Sequence, residues 1–174
     1  EVLEAIRMRL SECQLELNEK KTRIVFCKNA NRKTRFKTVR FDFLGFSFQP
    51  RPAMNKAVGK MFLGFDCAIS QKSEKKIVEI IRKSEFHKWT NSDIYRIANY
   101  FNPKIEGWIN YYGKFRKREM QKIFNIFHLR LNKWVVKRYK RFNGCHRRAG
   151  EWIRLLAKNQ PSLFVHWRHG FQSA

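Results

Sequence analysis

Carboxylates are scarce in this sequence, and its few aspartates stand apart from one another. The 174 residues include 14 Asp and Glu against 38 Lys and Arg, and the three aspartates are Asp42, Asp66 and Asp93. Two-metal catalysis, such as template-directed polymerisation, requires metal ions held by carboxylates, normally including an adjacent aspartate pair. Because no such pair is present, we assign no catalytic residue to this chain.

Cysteine pairs and other signs of a metal or nucleophile site are also missing. Cys13, Cys27, Cys67 and Cys145 share no Cys-x-x-Cys spacing, so we predict reduced, ordinary cysteines. There is no Gly-x-Ser-x-Gly sequence. His166 and His169 are three residues apart, but no cysteine or acidic residue lies near them, so they are interpreted as structural histidines. We therefore predict that the chain itself binds no metal or cofactor.

The sequence has no long hydrophobic run. No stretch reaches the roughly 18 to 20 apolar residues of a spanning helix, and the opening Glu-Val-Leu-Glu does not resemble a signal peptide. These absences predict a cytoplasmic protein without a membrane partner.

Hydrophobic residues and positive charge are both abundant. Hydrophobic residues make up 43% and aromatic residues 15% of the chain, enough for a folded core despite a net charge of +24. The charge is uneven, since residues 1–50 hold 11 basic and 6 acidic residues and residues 51–174 hold 27 and 8. Such a field attracts polyanions, and nucleic acid is the predicted partner. An acidic membrane surface would also suit the charge.

The first third of the chain predicts a helix and three short strands. Apolar residues in 2–13 have helical spacing, and strands are expected at about 23–27, 41–48 and 61–65. The basic segment 28–37 is expected to be a loop or hairpin tip, and 49–60 a connector. The run 41–48 carries apolar residues on both faces, which predicts a strand covered on both sides, with Gly45 at a bend or a close backbone approach.

The remainder predicts helices. We expect one at about 70–84 capped by Ser70 or Ser73, and one at about 93–101. A separate helix is expected after Asn102, with Asn102 as N-cap and Pro103 at its first position. A long helix is expected at about 116–142 and a last one at about 147–159. The predicted fold class is α+β, mostly α, with a small antiparallel sheet followed by a helical bundle.

The densest charge lies on the predicted long helix. Between Lys114 and Arg141 there are 11 basic residues and one acidic residue. Solvated faces normally mix signs, whereas these cations repel each other, so a bound polyanion would stabilise the segment. Tyr111 is the best candidate for stacking on unpaired bases. The full set of predicted nucleic-acid-binding residues is Lys72, Lys75, Lys76, Lys104, Tyr111, Lys114, Arg118, Lys122, Lys133, Lys137 and Lys140.

Three stretches carry a resemblance to one family. Asn102–Phe115 reads Asn-Pro-Lys-Ile-Glu-Gly-Trp-Ile-Asn-Tyr-Tyr-Gly-Lys-Phe, preceded by Leu17-Asn-Glu-Lys-Lys-Thr22 and Phe43-Leu-Gly-Phe46. In this order they resemble the end of the palm and the maturase-specific domain X, or thumb, of bacterial group II intron reverse transcriptases. The resemblance implies a palm remnant at 1–66 and a helical thumb at 67–174.

The resemblance also implies a function. Phe43, Leu44, Gly45 and Phe46 would be the primer grip, which steadies the 3′ end of the primer strand. The partners would be structured intron RNA, an RNA/DNA template–primer duplex and the remainder of the reverse transcriptase, whose aspartates, upstream of residue 1, would hold Mg²⁺. The whole enzyme would be an RNA-directed DNA polymerase and maturase that supports reverse transcription and splicing.

Two other readings stay open at this point. A stand-alone RNA-binding splicing scaffold without polymerase activity would present the same basic surface, but its gene would start close to Glu1. A peripheral protein of an acidic membrane surface fits the charge but not the palm-like strands. The sequence does not distinguish a thumb that grips a duplex from a maturase surface that grips an intron.

Overall fold

The computed structural model describes residues 1–32, 34 and 36–172, and it confirms an α+β fold that is mostly helical, with a small antiparallel sheet. The strands are ordered β1-β2-β3 in the sheet. The helices and strands are α1 (Val2–Glu12), β1 (Phe41–Phe43), β2 (Phe46–Asn55), β3 (Lys60–Ile69), α2 (Gln71–Lys83), α3 (Ile94–Tyr112), α4 (Gln121–Arg138), α5 (His146–Asn159) and α6 (Val165–Arg168). Single 3-10 turns lie at Phe86–Lys88, Lys117–Met120 and Lys140–Phe142.

The chain divides into two compact units. The N-terminal unit comprises Glu1–Phe41 and Gln49–Phe65, and the helical unit comprises Asp42–Phe48 and Asp66–Ala174. Strands β2 and β3 have residues in both units because the division falls within them.

The N-terminal unit contains the predicted first helix but lacks the predicted first strand. Helix α1 forms as expected, although none of its residues is buried. The segment 23–27 is irregular, so the strand prediction there was wrong. Phe26 donates its backbone N–H to the Thr38 carbonyl at 2.9 Å, but the described residues around it form no continuing ladder, which a strand requires. In the predicted loop 28–37, Lys33 and Arg35 lie outside the described residues.

The run 41–48 is a hairpin rather than one strand. Leu44 and Gly45 both have positive φ, +46° and +82°, as the two central residues of a type I′ turn require. The prediction of a bend at Gly45 is confirmed, whereas cover on both faces is wrong, because Phe43 and Leu44 are exposed and Phe46 is the one buried apolar residue of the run. Strand β2 then continues to Asn55 through the predicted connector, and β3 extends to Ile69.

Helix α3 corrects the prediction at Asn102. One helix runs from Ile94 to Tyr112 with Pro103 inside it, so Asn102 is not an N-cap. The Asn102 side chain instead donates to the Leu163 carbonyl at 2.9 Å and accepts from the Val165 N–H at 3.1 Å. Those bonds hold the chain at the start of α6 against α3. A capping rule considers only neighbouring residues, so it could not predict this use of the Asn102 amide.

Helix α4 lies at the centre of the helical unit and packs on α2 and α5. It is shorter than predicted, because Arg116 adopts a left-handed conformation before it and Tyr139 an extended one after it. Arg118 and Lys140 therefore lie in 3-10 turns. The helices α2, capped by the Ser70 hydroxyl, and α5 match their predictions. The fully buried side chains of α4 are Ile123, Phe124, Phe127, Leu131, Trp134 and Val135.

Candidate nucleic-acid interface

The hairpin turn at Leu44 and Gly45 is held by two hydrogen bonds from other residues of the helical unit. Tyr111 donates its hydroxyl to the Leu44 carbonyl at 2.8 Å, and the Ser70 N–H donates to the Gly45 carbonyl at 2.9 Å. A Cβ on Gly45 would lie 2.9 Å from Ser73 Oγ, so a side chain at this position would force Ser73 to shift. The predicted primer-grip segment is therefore a rigid turn with an exposed tip.

Phe46 anchors the same hairpin through aromatic contacts. Its ring centroid lies 5.3 to 5.5 Å from those of Tyr111, Tyr112 and Phe115, with Phe115 edge-on. Offset and edge-to-face pairs of this kind are favourable beyond the area they bury. Of the four predicted primer-grip residues, Phe46 is thus structural, while Phe43 and Leu44 are 59% and 67% exposed and face solvent.

Tyr111 occupies a different place from the one its predicted role suggested. Its hydroxyl holds the hairpin turn and its ring packs between Phe46 and Tyr112, yet 47% of the residue is exposed. The sequence identified it as a base-stacking residue, and the structure gives it a scaffolding contact as well. Tyr111 and the predicted primer-grip residues are brought together; the cationic candidates are distributed over several elements.

Lys104 and Lys122 already have partners. The Lys104 ammonium lies 3.2 Å from the centroid of the Tyr100 ring, a cation–π contact on a half-buried side chain. Lys122 approaches Glu119 at 3.9 Å. Among the described residues no ion pair is formed by the other predicted cations, which are all exposed: Lys72, Lys75, Lys76, Lys114, Arg118, Lys133, Lys137 and Lys140.

Helical spacing places Lys122, Lys133 and Lys137 on one side of α4, opposite the buried residues. Leu129, which is 65% exposed, lies on the same side between them. Lys72, Lys75 and Lys76 follow the outward side of α2, while Ser73, Ile77 and Val78 are buried. The cations therefore form two separate lysine-bearing helix faces rather than one cluster.

Two buried histidines, His128 of α4 and His166 of α6, lie side by side. His128 Nε2 accepts a hydrogen bond from Trp167 Nε1 at 3.1 Å and lies 3.0 Å from His166 Nε2. Burial lowers the pKa of His128 to about 4 and, with the neighbouring His128, lowers the pKa of His166. Both rings are therefore neutral, and His166, stacked on Phe124 at 4.9 Å, is a core histidine as predicted. His169, for which the same role was predicted, is exposed.

Sequence analysis missed the arginines of the second half of the helical unit. Arg130 contacts His87 Nδ1 at 3.0 Å; burial, with the charge of Arg130, lowers the pKa of His87. Arg147 and Arg154 lie on the α5 side of a groove against α4. Their separation of seven residues, two helical turns, was the available signal that they share a face.

A metal site is not evident in the part of the chain that the structure describes, where no three His, Cys, Asp or Glu residues are grouped to hold an ion. None of the described helices combines the length and apolar character needed to cross a bilayer.

Comparison with known proteins gives one finding. Residues 71–152 match the family described as group II intron, maturase-specific domain. This match begins at α2 and extends into α5, and it makes that part of the chain a group II intron maturase-related region. The chain matched none of the curated proteins and none of the solved structures with which it was compared.

Proposed function

We propose that this chain is the nucleic-acid-binding C-terminal portion of a bacterial group II intron-type reverse transcriptase and maturase. In this role it grips structured intron RNA to support splicing and an RNA/DNA template–primer duplex to support reverse transcription. The observation that carries the proposal is that the maturase-related region, residues 71–152, contains the segment with 11 basic residues and one acidic residue between Lys114 and Arg141.

The charge of that segment has a physical consequence. Lys133 and Lys137 on α4 and the adjoining Arg118 and Lys140 form no ion pair among the described residues, so their repulsion is not relieved within the chain. A phosphate backbone relieves it and releases counterions on binding. We propose that these cations bind the phosphates, and we define the proposed binding face as Arg118, Lys122, Lys133, Lys137 and Lys140.

The hairpin supports the second half of the proposal. A primer grip has to hold a strand end in a fixed position, and the Leu44–Gly45 turn is held by the Tyr111 and Ser70 hydrogen bonds. Its exposed tip, Phe43 and Leu44, offers apolar contact to a primer nucleotide. We assign primer positioning to this tip and place Phe46 and Gly45 in the support that keeps it rigid.

The N-terminal unit supports a further partner, the remainder of the reverse transcriptase. Large apolar side chains of this unit, including Ile6, Ile24, Met54 and Phe62, are exposed. A palm domain that continues beyond this chain would cover such surfaces, and its carboxylates would hold the Mg²⁺ ions of the polymerase. The proposed setting for this assembly is the cytoplasm.

The binding face is tested by removing its charge. Changing Arg118, Lys122, Lys133, Lys137 and Lys140 together to Gln should weaken RNA binding and flatten its salt dependence, with up to roughly 0.7 to 0.9 lost from the log–log slope per phosphate contact removed. A control variant removes five exposed charges from the N-terminal unit, namely Lys20, Lys21, Arg23, Lys56 and Lys60. An equal loss in both variants would contradict a defined face.

The two proposed jobs are separated by the choice of RNA. Affinity is measured against salt for a structured intron RNA and for a random RNA of equal length. A steep salt dependence with strong preference for the intron supports the maturase role of this chain. A steep dependence without preference supports the thumb role, and RNA binding that is absent from the folded protein contradicts the proposed function altogether.

A further inference from the structure

The groove between α4 and α5 borders the proposed binding face, because Leu129 in its lining lies on the side of α4 that carries Lys122 and Lys133. It has a volume of about 490 Å³, within the range of roughly 300 to 1,000 Å³ typical of small-molecule sites. Its lining combines Arg147 and Arg154 with the apolar Leu129 and Ile153. Cationic and apolar surfaces therefore meet in one concave space.

Charge in this groove is of a single sign. None of the described lining residues is acidic, and Glu151 is the one carboxylate between Gln121 and Asn159, 4.0 Å from Arg147. The groove between α2 and α4 is a useful comparison, since its volume is also about 490 Å³ but its lining includes both Glu74 and Glu79. Of these two grooves, the α4–α5 groove is the one suited to an anion.

The first turn of α5 also favours an anion in the groove. It contains His146, Arg147 and Arg148 and no acidic residue, and Cys145 supplies no side-chain cap. Helix N-termini carry partial positive charge, so cations there are unfavourable. A phosphate group beside this turn would satisfy both the uncapped N–H groups and the arginines.

The groove is held in a fixed shape. Asn132 of α4 donates its Nδ2–H to the His146 carbonyl at 2.8 Å, and its Oδ1 lies 2.7 Å from His146 Nδ1. This contact depends on Gly150, where a Cβ would lie 3.1 Å from Asn132 Nδ2. The start of α5 is thereby tied to α4, so the backbone that carries the arginines is already ordered before a ligand binds.

Leu129 and His128 give the groove features beyond those that a phosphate alone would need. Leu129 is 65% exposed although it borders the groove, so its apolar surface is available to a flat ligand. His128 also contributes to the lining and is 5% exposed, and its Nδ1 has no hydrogen-bond partner among the described residues. An anionic group joined to a flat ring with polar edges, which is a nucleotide, matches these features together.

We propose that the α4–α5 groove holds one unstacked nucleotide of single-stranded RNA. Its phosphate is bound by Arg147 and Arg154, and its base packs against Leu129. The proposal rests on the proposed RNA-binding function and adds a site that prefers unpaired RNA over duplex, because a paired base cannot leave its stack to enter the groove.

A variant that changes no charge tests the base contact. Leu129→Ser in the full chain should weaken binding of a fluorescent oligouridylate about fivefold, while affinity for an RNA duplex of the same length is unchanged. The matched control is Leu155→Ser, which removes a leucine of α5 that is 56% exposed and lies outside the groove. Thermal melting of both variants verifies that neither is unfolded.

The phosphate contact is tested by Arg147→Gln with Arg154→Gln. We expect about a tenfold loss for the oligouridylate and a smaller, about threefold, loss for the duplex. Lys75→Gln with Arg82→Gln, from the α2–α4 groove, should lower both affinities by the same factor. Cross-linking with 4-thiouridine in the oligouridylate should map to 125–132 or 146–154 in the wild-type protein.

The outcomes separate this site from the general function. If the wild type binds RNA but Leu129→Ser behaves like Leu155→Ser, or the double arginine variant weakens strand and duplex alike, the nucleotide site is wrong and the RNA-binding function stands. If the folded wild type binds neither RNA, both proposals are wrong.

Discussion

The two units of this protein use similar side chains in opposite ways. In the helical unit, aromatic and aliphatic residues such as Phe86, Phe101, Phe127 and Trp134 are fully buried. In the described part of the N-terminal unit no hydrophobic residue is buried, and α1 contributes none to a core. Apolar content alone therefore does not tell whether a segment builds a core.

The reason lies in how each unit arranges its apolar residues. Helices α2 to α5 offer apolar stripes that neighbouring helices cover, and α4 is enclosed on most of its circumference. The N-terminal unit offers one amphipathic helix and parts of a small sheet, which is too little surface to bury both. Stability should accordingly depend on residues of the helical unit and hardly on apolar residues of the N-terminal unit.

The largest difference between the units is expected when one phenylalanine of each is replaced by alanine. Phe127→Ala should lower the free energy of unfolding by about 3 to 5 kcal/mol, because its buried ring contacts Phe86, Phe101 and Phe164. Phe62→Ala, at a side chain 47% exposed, should cost less than about 1 kcal/mol. Urea titration followed by circular dichroism compares them, and equal losses would remove the contrast between the units.

Acidification should act on the helical unit, which contains all five histidines of the chain. Unfolded His128 takes up a proton near pH 6.5, whereas the folded residue does so only near pH 4. Stability is therefore complete above pH 6.5, falls as the pH decreases towards 4 and then levels off, a loss of about 3 kcal/mol.

This pH dependence is measured by urea titration at several pH values. His128→Gln should flatten the curve between pH 6.5 and 4, leaving the contribution of His166, whose pKa is lowered in the same direction. A variant curve as steep as the wild-type curve would show that other groups cause the loss.

Glycine substitutions compare the two units at turns of similar conformation. Gly45→Ala should cost about 2 kcal/mol, since the new Cβ meets Ser73 Oγ at 2.9 Å in addition to the strain of positive φ. Gly59 in the N-terminal unit also has a positive φ, +66°, but a Cβ added there would have nothing within 4 Å. Gly59→Ala should therefore lower the free energy of unfolding by only about 1 kcal/mol. Differential scanning calorimetry should rank Gly45→Ala as the less stable; the reverse order would contradict the close approach.

The smallest effect concerns the hydroxyl that holds the hairpin. Tyr111→Phe removes the 2.8 Å bond to the Leu44 carbonyl and should cost about 1 kcal/mol. Tyr95→Phe, whose hydroxyl contacts Gln160 at 3.4 Å, is the control with little expected change. Hydrogen exchange at the hairpin should accelerate for Tyr111→Phe alone. Unaltered exchange would mean that the aromatic packing of Phe46 suffices to hold the turn.

Local signals predicted the elements that depend on neighbouring residues. Helix α2 begins after Ser70, whose hydroxyl accepts the Ser73 N–H, and α5 follows its apolar periodicity. Gly45 was predicted to lie at a bend or a close backbone approach, and it lies in the hairpin turn with φ of +82°. These predictions succeed because capping, turn geometry and helical spacing operate within a few residues.

Predictions failed where a distant partner decides. Pro103 remains within α3, because a proline costs the helix one hydrogen bond that surrounding packing offsets, and Asn102 bonds to the chain before α6. The strand expected at 23–27 did not form, since a strand depends on a neighbour that the local sequence does not specify.

The sequence by itself determined the helical character of the larger unit, its excess of positive charge and the turn glycine of the hairpin. Its string at Asn102–Phe115 also pointed to the family matched by residues 71–152. Only the tertiary structure decided which of the described cations form ion pairs, how His128 and His166 meet, and that Arg147, Arg154 and Leu129 share one groove. Charge and hydrophobic periodicity can be read from the sequence, whereas a site depends on distances between residues that only packing brings together.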